Sequence, residues 1–177
     1  MTQVREFAYL DAADLQALEL PYQGGSMAML ILLPKQTAGI EGVERTLSPA
    51  RLQALVNGLR PECVRVFLPR FRVGSSFELA KPLAAMGMPD AFDAKLADFS
   101  GMNGKRDLYV SAVVHKTFVE VNEDGAEAAA AAGAVVRAKG IPMGAPPEFR
   151  ADRPFLFLIR DLTTGVVLFI GRVADPS

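Results

Sequence analysis

The chain has 177 residues, of which 50% are hydrophobic and 22% charged, a composition ordinary for a soluble globular protein with its own core. A formal net charge of −1 gives no electrostatic reason to expect binding to nucleic acid or to an anionic membrane. The single cysteine, Cys63, excludes an internal disulfide, and no apolar run approaches the roughly 20 residues that a membrane-spanning helix needs.

Strand-like runs open the chain. Apolar residues cluster over 4–10, 15–20 and 27–33, and the segments between them are rich in Asp, Gly and Ser, which is typical of turns. We predict three consecutive antiparallel strands here. The third is apolar on both faces, which predicts a central place in its sheet.

Two helices are predicted to follow these strands. Apolar residues at helical spacing indicate a short helix over 39–47. A capping serine followed by a proline, Ser48 and Pro49, predicts the start of a second helix, which Gly58 ends.

The middle of the chain carries strand, helix and turn signals in turn. Residues 63–73 predict a long strand in which Pro69 must fall at an edge, a bend or a bulge, because proline lacks the N–H that strand pairing needs. A glycine and two serines then break this strand, and apolar spacing predicts a helix over 77–86. Short turns over 88–106 lead into the longest strand candidate, 109–122.

An alanine-rich segment follows this strand and continues into a loop. Ala128–Ala132 carry no amphipathic stripe and run into β-branched residues, which favours an extended segment with little packing of its own. Prolines and glycines over Arg137–Pro147 predict a long loop, and a loop of this kind in a compact domain is usually functional or disordered. The apolar runs 155–159 and 166–170 then predict a buried hairpin.

The residue types that carry catalysis or bind metals are scarce in this chain. Its one histidine, His115, and its one cysteine, Cys63, lie in strand-like runs, and nothing marks a third group to orient them as a catalytic pair. A metal site would need more nitrogen or sulfur donors, and the acidic residues of 120–127 lack the spacing of a calcium loop. We therefore predict no enzymatic activity, no metal site and no cofactor.

Several segments, taken together, resemble the serpin family of serine protease inhibitors. The run Phe149–Ile159 fits the signature of that family, and Glu123–Ala132 matches its hinge. Val114–Lys116 and Leu168–Pro176 match as well. The resemblance covers essentially the whole chain but only the carboxy-terminal half of a family member, whose amino-terminal helices and several strands have no counterpart here.

The resemblance implies both a fold and a mechanism. The fold is α+β, with mostly antiparallel sheets and a few short helices, in a single serpin domain over 1–177 whose reactive loop spans about 124–148. The mechanism is suicide inhibition: a serine protease attacks the loop, and the cut loop inserts into the central sheet and drags the acyl-linked protease with it. The strand that should flank the inserted loop belongs to the half without counterpart, so we expect this truncated chain to be inactive or to act only as a substrate.

The resemblance also assigns roles to individual residues. Small hinge residues allow the insertion, and the matched positions are Glu123, Gly125, Ala126, Glu127, Ala128, Ala129 and Ala130. Glu123 is implied to pair with Arg70 on the neighbouring long strand and so to fix the top of the sheet. His115 matches a structural histidine in the region where the central sheet of the family parts.

Two ways of counting identify two candidate bait bonds. Counting forward from Glu123 by the usual hinge length of the family gives the bond between Lys139 and Gly140. Aligning backwards from Pro154 gives the bond between Met143 and Gly144. We favour the lysine, because the sheet constrains the length of the insertion. A lysine would select a trypsin-like protease with an acidic residue in its pocket, whereas a methionine would select chymotrypsin-like or elastase-like enzymes.

A second hypothesis comes from another class of protein. The chain could be a non-inhibitory binding or structural module whose exposed sheet edges pair with a partner chain or with a separately made amino-terminal half. Exposed apolar strands also predict self-association. An extracellular location is expected from the family alone.

Overall fold

The computed structural model describes residues 2–121 and 145–176, and it confirms the predicted α+β class with mostly antiparallel pairing. The strands are β1 (Thr2–Asp11), β2 (Leu15–Pro21), β3 (Met27–Pro34), β4 (Arg60–Phe67), β5 (Phe71–Glu78), β6 (Val114–Val121), β7 (Glu148–Arg150), β8 (Phe155–Asp161) and β9 (Val167–Val173). The α-helices are α1 (Ile40–Thr46), α2 (Pro49–Gly58), α3 (Ala80–Ala85) and α4 (Ser100–Asn103), and Asp90–Phe92 form a 3₁₀ turn.

A seven-stranded sheet holds most of the strands, in the order β7-β4-β1-β2-β3-β8-β9, while β5 and β6 form a separate two-stranded sheet. Within the large sheet, β7 pairs with β4 in parallel and the other neighbours are antiparallel. The predicted trio of antiparallel strands is confirmed as β1, β2 and β3. The third of them is central, as predicted, because β3 pairs with β2 on one side and with β8 on the other.

Both faces of this sheet are packed near β3. One face carries an aliphatic cluster to which α1 and α2 contribute; its buried members are Leu15, Ala17, Leu30, Leu32, Ile40, Val43, Leu55, Leu156 and Leu158. On the other face the ring centroid of Phe71 lies 5.5 Å from those of Phe155 and Phe157. Apolar residues on successive positions of β3 are therefore buried on both sides, which explains its uninterrupted apolar sequence.

The two predicted helices are present with nearly the predicted bounds. The hydroxyl of Ser48 accepts a hydrogen bond from the Arg51 backbone N–H at 3.2 Å, and Pro49 is the first residue of α2. This is the capping role that the sequence predicted. Both helices direct apolar residues into the aliphatic cluster.

The strand predicted over 63–73 is two strands. β4 ends before Pro69 and β5 begins after it, so the proline falls at the predicted bend. The break predicted at 74–76 is wrong, because β5 continues through these residues beside β6. Pairing with a neighbouring strand overrides the weak strand propensity of glycine and serine. Because β5 extends to Glu78, only α3 remains of the helix predicted over 77–86. β6 begins at Val114, five residues later than the predicted start at 109.

The hairpin predicted as buried is buried in its first strand only. Phe155–Leu158 of β8 are buried, whereas Val167–Ile170 of β9 are exposed. The reason is position: β9 is the last strand of the sheet, and no described strand pairs with its outer edge. An apolar run on both faces indicates a strand that could be buried, but it does not report whether a neighbour is present.

Contacts between residues divide the chain into two compact units. The first comprises Met1–Phe71 and Glu120–Ser177 and contains the seven-stranded sheet. The second comprises Arg72–Val119 and contains α3, α4 and most of β5 and β6. The single domain over 1–177 stays a prediction. None of the described helices is long and apolar enough to cross a membrane.

Candidate functional site

The predicted hinge and both candidate bait bonds lie outside the described residues, which stop at 121 and resume at 145. This holds for Glu123, Gly125, Ala126, Glu127, Ala128, Ala129, Ala130, Lys139, Gly140, Met143 and Gly144. The structure describes the strands on either side of this segment. The candidate site is therefore characterised by its two attachments, β6 before it and β7 after it.

The attachment before the segment is a strand with one partner. β6 pairs with β5 in the two-stranded sheet, and β5 is its one neighbour among the described strands. The Arg72 guanidinium of β5 lies 5.4 Å from the ring centroid of Phe118 on β6. This contact joins the two strands on one face. His115 lies on β6 with an exposed side chain. None of the other described strands pairs with the far edge of β6.

The predicted pair of Glu123 and Arg70 stays a prediction. Arg70 is exposed and lies in the short segment between β4 and β5, next to Pro69. Its predicted partner belongs to the undescribed segment. The structure thus locates one half of the pair only.

The attachment after the segment is short but firmly paired. The Arg65 backbone N–H donates to the Pro147 carbonyl at 2.9 Å, and the Ala151 N–H donates to the Phe67 carbonyl at 2.9 Å. These two bonds bracket the three residues of β7 along β4. Between them the Phe149 side chain is fully buried. The chain is therefore held in place from Pro147 onward.

Charged side chains of β7 add weak contacts at the surface. Glu148 accepts from the guanidinium of Arg65 at 3.5 Å and from that of Arg150 at 3.4 Å. Exposed pairs of this kind contribute about 0–1 kcal/mol each. The Arg150 guanidinium also lies 3.8 Å from the ring centroid of Phe67. The burial of Phe149 outweighs these contacts in fixing β7.

A glutamine from the middle of the sheet completes this attachment. Gln16 Nε2 donates to the Glu148 carbonyl at 3.1 Å and to the Tyr9 hydroxyl at 2.8 Å. Burial raises the pKa of the Tyr9 hydroxyl, and the negative charge of Asp11 adds to this shift. Sequence reasoning missed Gln16. The signal was partial: Gln16 is a polar residue on the same face of β2 as the buried Leu18, which indicates a hydrogen-bonding role but does not identify the distant partner.

Replacing Gln16 by leucine should lower the free energy of unfolding by about 1–2 kcal/mol, because the buried Tyr9 hydroxyl then loses its donor. Urea unfolding of the variant measures this change. Gln53→Leu is a matched control, since Gln53 is exposed on α2 and its amide donates only to the Asn57 side chain. A loss of stability as large in the control would show that the Tyr9 and Glu148 contacts are not its cause.

An arginine ties the residues after β7 to the centre of the sheet. Arg153 Nε donates to the Pro34 carbonyl, the last residue of β3, at 2.7 Å. Its Nη1 donates to Asp152 at 2.8 Å. The chain then enters the buried strand β8. Contacts with β4, β2 and β3 therefore hold both β7 and the turn after it. The described residues that follow 122–144 are thus anchored to the seven-stranded sheet.

The described residues contain no group of three or more His, Cys, Asp or Glu side chains that could hold a metal ion. Cys63 is half-buried on β4. The structure thus describes the two strands that flank 122–144 in sequence, β6 before it and β7 after it.

Comparison with known proteins identifies a family. The family model described as serpin (serine protease inhibitor) matches residues 1–176. A serpin-like protein of Thermococcus kodakarensis is 45% identical over 179 residues, an alignment that covers 100% of this chain and 41% of that protein. The leukocyte elastase inhibitor of Homo sapiens is 43% identical over 188 residues, covering 99% of this chain and 48% of that protein.

A solved structure supports the same relation at the level of the fold. The crystal structure of uncleaved ovalbumin superposes with a TM-score of 0.82 at 34% sequence identity, covering 99% of this chain and 44% of that chain. The chain therefore spans less than half the length of the relatives that it matches.

Proposed function

The chain belongs to the serpin family, and from this premise we propose that it carries the bait segment of a serpin-type inhibitor of a serine protease. The observation that carries the proposal is the attachment of residues 122–144. This segment follows β6 directly and leads into β7, which Phe149, Gln16 and the backbone of β4 hold in place. A protease can cut a connecting segment while the paired strands on either side of it in sequence stay folded.

We propose Lys139–Gly140 as the bait bond and a trypsin-like enzyme as the target. Lysine fits a protease pocket with an acidic residue at its base, which forms a charge-assisted hydrogen bond with the ammonium group. Cleavage at Met143–Gly144 is the alternative, with a chymotrypsin-like or elastase-like target. An extracellular location belongs to the same proposal, and detection of the protein in the medium of its source cells would test it.

The isolated chain is proposed to be cut without trapping the protease. An inserted strand needs a partner on each side, and the edge of β6 that pairs with no described strand is proposed to provide one of them. The described residues supply no strand for the other side of the slot. Insertion would then satisfy only half of the backbone hydrogen bonds of the new strand, which weakens the drive to displace a bound protease.

Incubation with trypsin, followed by denaturing electrophoresis and intact mass, tests the proposal. We expect fragments that end at Lys139 and a protease that stays active, with the described sheets still folded. Lys139→Ala should slow cleavage at this bond by at least about a hundredfold, because alanine offers no charge to the pocket. Met143→Ala is the matched control in the same segment and should leave cleavage by trypsin unchanged.

Two results would contradict parts of this proposal. A complex that survives denaturation, with the acyl bond at Lys139, would show that the chain inhibits on its own. The second result concerns the position of the cut. If trypsin leaves the bond after Lys139 uncut in the unsubstituted chain and rapidly cuts the Lys139→Ala variant at neighbouring bonds, Lys139 is rejected as the bait residue.

A second candidate function is a binding module that pairs through an exposed sheet edge. The observation that favours it is β9, an outer strand with exposed apolar side chains. Edge strands of this kind add a strand from another chain through main-chain hydrogen bonds. Association and protease cleavage are independent measurements, so that the two functions can be tested separately.

A further inference from the structure

β7 contains a basic residue of the kind that a trypsin-like protease selects. The side chain of Arg150 is exposed; its Nη2 lies 3.4 Å from Glu148 Oε2, and its guanidinium carbon lies 3.8 Å from the ring centroid of Phe67. The next amide N–H, that of Ala151, donates to the Phe67 carbonyl at 2.9 Å. A serine protease must take the arginine into its pocket and bring the following peptide bond against its own serine and oxyanion hole. β7 must therefore leave β4 before the bond between Arg150 and Ala151 can be cut.

The backbone of β7 is hydrogen-bonded on two sides. The Pro147 carbonyl accepts from the Arg65 N–H at 2.9 Å and so faces β4. Successive carbonyls of a strand point in opposite directions, so the Glu148 carbonyl faces away from β4. This carbonyl accepts from Gln16 Nε2 at 3.1 Å. β7 is thus held between the backbone of β4 and the side chain of Gln16.

Gln16 is itself held in place without any contribution from β7. It lies on β2, and its Nε2 donates at 2.8 Å to the hydroxyl of Tyr9, a residue of β1 that is 3% exposed. Tyr9 is fixed in turn, because it pairs with Leu18 of β2 and with Arg60 of β4. An amide NH₂ group has two hydrogens to donate. One of them ties the group to the buried hydroxyl, which leaves the other for the Glu148 carbonyl.

Phe149 and Gln16 both hold β7, but their losses have different effects. Phe149 is fully buried, so its truncation leaves a cavity and destabilises the sheet as well as the strand. The bond from Gln16 to Glu148 lies at the surface, and its loss leaves the packing of Phe149 intact. What changes is the fraction of molecules in which β7 is detached from β4. Loss of one hydrogen bond raises such a fraction by about three- to tenfold.

We infer that Gln16 is a positioning residue that keeps Arg150 from a trypsin-like protease and so confines cleavage to residues before β7. It acts through the Glu148 carbonyl, by holding β7 against β4. The inference rests on the proposed function, because it names what makes such a protease cut after Lys139 and spare a basic residue further along the chain. Gln16 thus determines which bond is cut and takes no part in the chemistry of cutting.

Digestion of the whole chain by trypsin tests this role, with intact mass separating fragments that end at Lys139 from those that begin at Ala151. In the unsubstituted chain we expect the cut after Lys139 to be at least about tenfold faster than the cut after Arg150. Gln16→Met removes both donated bonds at a similar side-chain length. It should speed the cut after Arg150 by about three- to tenfold and leave the cut after Lys139 unchanged. Tyr9→Phe removes only the group that orients Gln16 and should give a smaller increase.

Arg160→Met is the matched control, because it weakens the sheet through the pair with Glu19 and lies on β8, which does not pair with β7. An equal increase in this control would show that general loss of stability exposes Arg150, and it would overturn the inference. Cutting after Arg150 that is equally fast with and without Gln16 would overturn it too. Hydrogen exchange of the Ala151 amide measures detachment without a protease and should be faster in Gln16→Met; unchanged exchange would contradict the role of Gln16. If Lys139 stays uncut while the rates at Arg150 differ as expected, the proposed bait bond is wrong and the role of Gln16 stands.

Discussion

Replacing Phe149 by alanine should lower the free energy of unfolding by about 3–5 kcal/mol, the usual cost of truncating a fully buried phenylalanine. Phe149 is the central residue of β7 and its only buried one. The remaining contacts of this strand are a few backbone bonds, the hydrogen bond from Gln16 to the Glu148 carbonyl, exposed ion pairs and the contact of Arg150 with the Phe67 ring. The cavity should therefore loosen β7 from β4 as well as destabilise the sheet.

Urea unfolding measures the loss of stability, and hydrogen exchange of the Arg65 and Ala151 amides measures the loosening, since both donate across the two strands. Phe149→Leu should cost less than about 1.5 kcal/mol, because leucine fills most of the site. Phe77→Ala is a second control, as Phe77 is largely exposed on β5. Equal losses in all three variants would contradict the view that Phe149 anchors the strand.

Replacing Arg160 by methionine should cost about 1–3 kcal/mol, because its ion pair is partly buried and lies between the exposed pairs, worth about 0–1 kcal/mol, and fully buried pairs. Arg160 Nε donates to Glu19 Oε2 at 2.7 Å, and the two side chains are only 14% and 13% exposed. The pair joins β8 to β2 across β3, on the face that carries the aliphatic cluster. Removing the arginine leaves the Glu19 carboxylate without its partner in a place where water reaches it poorly.

The double variant Arg160→Met/Glu19→Leu should regain most of this loss, because it leaves no unpaired charge. Arg172→Met is the matched control: Arg172 lies 3.4 Å from Glu44 in an exposed pair, which contributes about 0–1 kcal/mol. Thermal or urea unfolding of the three variants gives the comparison. If the double variant is no more stable than Arg160→Met, the loss stems from packing of the arginine and not from the stranded carboxylate.

Much of the sheet could be predicted because its signals are local. Apolar runs separated by turn residues predicted β1, β2 and β3, and the buried β3 has a neighbour on each side, as its composition indicated. Ser48 and Pro49 likewise predicted the start of α2, because both residues stand at that start. In each case the residues that decide the structure are close to one another in sequence.

What could not be predicted depends on distant residues. β5 continues through 74–76 because β6 lies beside it, and no residue near 74 reports that neighbour. β9 has the composition of a buried strand but lies at the edge of the sheet. The attachment of β7 to Gln16 joins residues 132 positions apart. The candidate site was predicted from a family resemblance and from composition, whereas its support could be found only in three dimensions.

The parallel pairing of β7 with β4 has a consequence for the order in which the chain is assembled. Arg65 and Glu148 are separated by 83 positions, whereas β1, β2 and β3 are joined by short turns. A chain made from its amino terminus can pair β1 to β4 long before β7 has been synthesised. β7 is then added to an existing sheet edge, and this pairing forms only after the whole of 122–144 has been synthesised.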